Sequence, residues 1–176
     1  MSLSPSSSIE TCDVFVYGTL RHGEINDIAL AAMRFGRPDL PAPRHVAVGR
    51  VRGHLVDFGD WPGLVPPHGA DAAGKTARCA TVRGDVFRID RALLSILDEI
   101  EGIRPDGRGA FYRSEIDVIP DRPARADGSD AHAAVPAEAP RQALRCVYYP
   151  IDPEAGRGRP PISGGDWIVH RLARCR

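Results

Sequence analysis

Short runs of β-branched and aromatic residues, each broken off by glycine or proline, recur along this chain, while helical periodicity is confined to two brief stretches. That pattern argues against a regular βαβ alternation of strands and helices. The first run, residues 13–17 (DVFVY), reads as a buried strand stopped by Gly18, with a loop over 19–23. Asn26 or Asp27 can cap a short helix through Ile28, Leu30, Ala31 and Met33 that ends near Gly36. Strand signals return over 45–56, where Gly49 and Gly53 mark bulges or close backbone approaches. Residues 57–67 (DFGDWPGLVPP) read as turn or loop, and 77–89 as a further strand. Asp90 can cap a second helix over 91–100, whose Leu93, Leu94, Leu97 and Ile100 form one apolar stripe, with Gly102 placed to stop it. Strands follow over 111–119 and 144–149, and Trp167, Ile168 and Leu172 can anchor a last short segment. The pattern predicts an α+β fold: a small, mixed or mostly antiparallel β-barrel with two short helices.

The expected organisation is a disordered tail over 1–12 and one domain over 13–176, a length that buries a core without metals or disulfides. Within it, residues 121–142, rich in Ala, Pro and Asp with no apolar period, read as a flexible loop insertion. Lys+Arg and Asp+Glu both number 23, which argues against a nucleic-acid partner, since such proteins carry a basic excess. No apolar run approaches the ~20 residues of a membrane span, and the polar, Ser-rich start is not a secretory signal, so a cytoplasmic location is expected. Cys12, Cys79, Cys146 and Cys175 form no C-x-x-C pair and share no zinc-ligand spacing with histidine. They read as reduced thiols, and no metal site is expected.

Three pieces can carry chemistry. In Tyr17-Gly18-Thr19-Leu20-Arg21, a tight turn after a buried strand frees backbone N–H groups, a nest suited to a carboxylate or oxyanion. It is equally an ordinary strand-ending turn. In Leu97-Asp98-Glu99-Ile100-Glu101-Gly102, three acids crowd the negative end of a helix. A buried carboxylate there has a raised pKa, which suits a group that takes and returns a proton near neutrality; solvated surface acids are the plain alternative. Glu101, four residues after Leu97, lies toward the apolar stripe. Third, Phe111-Tyr112-Arg113 opens a strand, and Tyr148 and Tyr149 offer another pair, of which only one faces a given side. Tyr112 is either a core aromatic or a pocket hydroxyl.

In order along the chain, YGTLR (17–21), WPGLVP (61–66), GDVFRI (84–89), LDEIEG (97–102) and FYR (111–113) resemble the γ-glutamylcyclotransferase-like (AIG2-like) superfamily. ISGGDW (162–167) is similar to its bacterial small-protein branch. The resemblance implies a compact barrel with a pocket at one end, and an enzyme of acyltransferase or amide-lyase type. The implied reaction is intramolecular release of 5-oxoproline from a small γ-glutamyl substrate, with no metal or organic cofactor. It implies Glu101, before the glycine of the E-G pair, as the catalytic acid/base. It assigns substrate binding to Tyr17, Gly18, Thr19, Leu20 and Arg21, with Tyr112 and, by a looser match, Tyr149. Turnover of γ-glutamyl-amines or another amide is an alternative, as is a non-catalytic small-molecule binding protein of the same fold. The 121–142 insertion and the Pro38, Pro41, Pro43 stretch depart from the family pattern and bear on substrate identity. Oligomeric state is not encoded in these motifs.

Overall fold

The computed structural model describes residues 10–67, 80–104, 109–121 and 142–174. Five strands close into a barrel in the order β1 (Thr11–Val16), β5 (Thr81–Asp90), β2 (Arg44–Arg52), β6 (Ser114–Pro120) and β7 (Leu144–Tyr148). Neighbours run antiparallel except at the seam, where β1 meets β7 in parallel at Val14 and Val147. Closure removes the unpaired edges that so short a sheet would otherwise expose. β3 (His54–Asp57) and β4 (Pro62–Val65) form a separate two-stranded sheet.

The barrel is the expected mixed one, but several elements differ from the sequence reading. β1 begins at Thr11, paired with Asp90, so the predicted tail gives up its last residues to the sheet; residues 1–9 lie outside the described residues. The single strand read over 45–56 is two strands turned at Gly53, whose φ of 140° suits glycine. The bulge sits between His45 and Ala47, not at a glycine. Gly49 instead permits a close approach: a Cβ there would lie 2.5 Å from Val118 Cγ1. The segment read wholly as turn contains β4, because Pro62 pairs at the end of the little sheet, where its missing N–H costs nothing. Helices exceed the two expected. Besides α1 (Ile28–Arg34) and α2 (Leu94–Ile100) there are α3 (Pro153–Gly156) and α4 (Trp167–Arg174), the last anchored by the fully buried Trp167. None of these helices is long and apolar enough to cross a membrane. The insertion read over 121–142 falls, from 122 to 141, outside the described residues.

Two of the core's apolar clusters matter for the site. One unites Val14, Val16 and Leu20 with Ile28 and Ala31 of α1 and with Leu93, Leu94, Ile96 and Leu97 around α2. The other fills the barrel with Phe15, Tyr17, Val82, Val86, Val118 and Tyr148. Alternation along β1 sends Val14 and Val16 one way and Phe15 and Tyr17 the other, so this one strand ties the helices to the barrel.

Candidate active site

α2 is preceded by a single 3-10 turn, Arg91–Leu93, capped by Asp90, whose carboxylate accepts from Ala92 N–H at 2.8 Å. At its far end Gly102 adopts φ 64°, Gly102 N–H bonds to Glu99 C=O at 3.1 Å, and Ile103 N–H to Asp98 C=O at 2.8 Å. This is the glycine-terminated double bond of a Schellman cap, with Ile103 packed on the core as its hydrophobic contact. Glu101 is thereby pinned at the C-cap, and its side chain opens onto a cavity of about 320 Å³.

That cavity is lined from β1 and its following loop by Phe15, Tyr17, Gly18, Thr19 and Leu20, and from the other side by Ile100, Glu101 and Tyr149. Trp61, Phe111 and Ile25 supply an apolar wall. Trp61 stacks on Phe58 with centroids 3.9 Å apart and leans on Phe111 at 5.1 Å. The Glu101 carboxyl has no hydrogen bond or ion pair among the described residues, its backbone N–H bonding to Leu97 C=O at 2.9 Å. Burial pushes its carboxyl up from 4.5 to about 8. Desolvation by the surrounding protein is the cause, the burial on which the sequence reading made the raised pKa depend.

The loop opposite is held by its carbonyls. Gly18 C=O accepts from Arg21 N–H at 3.1 Å, Thr19 C=O from Asn26 N–H at 3.0 Å, and Leu20 C=O from Ile28 N–H at 3.0 Å. The N–H groups of Gly18, Thr19 and Leu20 have no acceptor among the described residues, so the turn offers donors at the cavity. Gly18 is required by space: a Cβ would meet Pro62 Cγ at 2.7 Å.

Of the residues expected to bind substrate, Tyr17, Gly18, Thr19, Leu20 and Tyr149 line the cavity with Glu101, while Arg21 and Tyr112 do not. Arg21 is buried and turned away, its guanidinium committed to Asp85 at 2.7 Å and Asp166 at 3.0 Å. Two carboxylates drawn from β5 and the approach to α4 outcompete a position at the cavity, and only tertiary pairing reveals them. Tyr112 is 40% exposed, and its neighbour in the chain, Phe111, takes the cavity wall instead. Both residues precede β6, and the bridge between Phe111 and Ile151 holds Phe111 at the cavity wall. The hydroxyls of the two lining tyrosines are occupied: Tyr17 donates to Tyr149 C=O at 2.6 Å and accepts from Leu64 N–H at 3.2 Å, while Tyr149 donates to Asp98 at 2.9 Å. Sequence reading missed Trp61, Phe111, Ile25, Asn26 and Asp60. The WPGLVP motif was the one available signal for Trp61, and nothing in the sequence pointed to Asn26 or Asp60. Among the described residues no cluster of His, Cys, Asp and Glu could hold a metal ion.

The family profile described as "Gamma-glutamyl cyclotransferase, AIG2-like" matches residues 14–169. The chain belongs to this family. A Vibrio cholerae protein, provisionally named a gamma-glutamylcyclotransferase, is 33% identical over 90 residues. That match spans 51% of this chain and 62% of the Vibrio protein, less than two thirds of its length. Among solved structures, an AIG2-like protein from Mus musculus superposes with a TM-score of 0.56 at 19% identity, covering 89% of this chain and 88% of that one. YkqA from Bacillus subtilis gives a TM-score of 0.58 at 18% identity, over 95% of this chain but 44% of YkqA. At such identities these likenesses establish the shared fold.

Proposed function

We propose that this chain is an intramolecular cyclotransferase that releases 5-oxoproline from a small γ-glutamyl substrate, with Glu101 as general acid/base. One observation carries the reading. An unpartnered carboxyl whose pKa burial raises to about 8 faces the same cavity as the free N–H groups of Gly18, Thr19 and Leu20.

In the reaction, the substrate's own α-amine attacks its γ-carbonyl carbon. A C–N bond forms to close the five-membered ring, the original amide C–N bond breaks, and the proton lost by the amine ends on the departing nitrogen. No water, metal or redox partner enters the balance. Because the nucleophile is tethered, the protein's principal task is to fold the substrate into attack geometry, an effect worth up to about 7–11 kcal/mol in well-oriented systems. The N–H turn at 18–20 binds the substrate's α-carboxylate, leaving its amine toward Glu101. The reactive complex holds one proton between Glu101 and the α-amine. A carboxyl raised to about 8 lies much closer in basicity to an α-amine than one at 4.5, so it takes the amine's proton at a smaller energetic cost. A carboxylate at its ordinary 4.5 would be a far weaker base.

The test is 5-oxoproline release from γ-glutamyl dipeptides, γ-glutamyl-amines and glutathione, run beside Glu101→Gln. Product from wild type and a loss of at least about 10²–10⁴-fold in the variant are expected. Undiminished turnover in folded Glu101→Gln removes Glu101 from the role. No product from any substrate favours a binding protein of the same fold.

A further inference from the structure

Hydrogen bonds linked through Tyr149 connect the two halves of the site. The series starts at Leu64 N–H in β4, passes through the Tyr17 hydroxyl to Tyr149 C=O, continues from the Tyr149 hydroxyl to Asp98, and ends where Arg113 donates to Asp98 at 2.8 Å. Tyr17 directly precedes Gly18 of the donor loop. Asp98 lies three residues before Glu101, one helical turn earlier on α2. We propose that Asp98 is a positioning residue: through Tyr149 it fixes the turn carrying Glu101 relative to the loop carrying Gly18, Thr19 and Leu20. This rests on the cyclotransferase reading above.

Three features favour positioning over a bare stability role. Tyr149 is 2% exposed, so its hydroxyl needs a partner inside the protein, and α2 supplies one at the end where Glu101 sits. Asp98 also holds Arg113, just before β6, so it is clamped from two sides and leaves the tyrosine hydroxyl little freedom. Finally, the Arg113 pair is open to solvent, with side chains 48% and 25% exposed, and pairs of that kind add little to stability by themselves. The ring of Tyr149 walls the cavity beside Glu101, so loosening it admits water to a carboxyl whose protonation depends on exclusion of water. The titratable and charged groups around Glu101 are Tyr17, Tyr149 and Asp60 in the cavity, with Asp98 and Arg113 behind.

The experiment uses Tyr149→Phe, which keeps the ring, Asp98→Asn, and the double variant. It follows kcat, KM and the Glu101 titration, the last by ¹³C NMR of glutamate-labelled protein without substrate. The expected result is a fall in kcat of about 10–100-fold in each single variant, with KM changed less than about 3-fold. The double variant is expected to be no worse than the weaker single, since both break one link. The Glu101 midpoint is expected to move down from about 8 toward 4.5 in both. Losses that multiply in the double variant, or singles with wild-type kcat, overturn the proposal while leaving Glu101 as the acid/base if Glu101→Gln remains inactive. If no substrate turns over even in wild type, the cyclotransferase reading fails by itself. The NMR titration still decides the positioning role, and an unmoved Glu101 midpoint in both singles refutes it.

Discussion

Replacing Glu101 by glutamine should stabilise the protein at alkaline pH while abolishing turnover, because the fold tolerates the neutral acid and strains against the carboxylate. Burial raises the carboxyl from 4.5 to about 8. A group whose folded pKa lies above its unfolded value keeps the extra proton in the folded state between those two pH values. Stability therefore falls as pH rises through that window, and below about 4.5 the group costs nothing. At about 1.4 kcal/mol per pH unit over about 3.5 units, the ionised wild type loses about 5 kcal/mol. Glu101 retains some solvent contact through the cavity, which screens the penalty and brings it to about 3–5 kcal/mol. Glutamine has no such titration. Urea unfolding of both proteins from pH 4.5 to 9.5 isolates it, because every other titrating group cancels in the difference. The gap in stability between variant and wild type should widen by about 3–5 kcal/mol from the acid to the alkaline end, with the rise between about pH 5 and 8. For an m-value near 2 kcal/mol/M, that is a relative midpoint shift of roughly 2 M. A difference that stays flat with pH would refute the claim that burial holds this carboxyl protonated, and with it the proton-matching argument.

Other outcomes follow from the same geometry. For wild type, kcat/KM should follow a bell whose acid limb lies near pH 8, since the reactive complex holds one proton between Glu101 and the substrate's amine; a plateau from pH 5 to 7 would contradict it. Arg21→Met takes the shared guanidinium from Asp85 and Asp166, which keep only the longer contacts to His45 and Arg83 and the Asp166 cap on Ile168 N–H, and should destabilise by about 1–3 kcal/mol in chemical denaturation, leaving KM of the folded enzyme near wild type; a large KM rise in a stable protein would put Arg21 back at the substrate. Gly18→Ala forces Pro62 to move from a 2.7 Å contact, and should cost about 1–3 kcal/mol of stability together with a raised KM, since the displaced turn carries the N–H groups proposed to bind the substrate's α-carboxylate. Tyr112→Phe should leave kcat and KM within about 2-fold of wild type, because Tyr112 does not line the cavity.

The small barrel, the capped helix at 91–100 and the placement of Glu101 were legible in the sequence because each depends on local signals. Alternating apolar runs, the Asp90 cap, the leucine stripe and the stop at Gly102 act over a few residues, and the structure keeps all of them. The donor turn at 18–20 was legible for the same reason. Tertiary structure decided what depends on contacts between distant segments. Arg21 adjoins the donor turn in sequence, yet Asp85 and Asp166, 64 and 145 residues away, draw it out of the cavity. The choice of Phe111 over Tyr112 as cavity wall rests on the bridge from Phe111 to Ile151, which no local pattern encodes. The raised pKa of Glu101 comes from the protein packed around it, so the sequence placed the carboxyl at the helix end and the folded chain set its protonation.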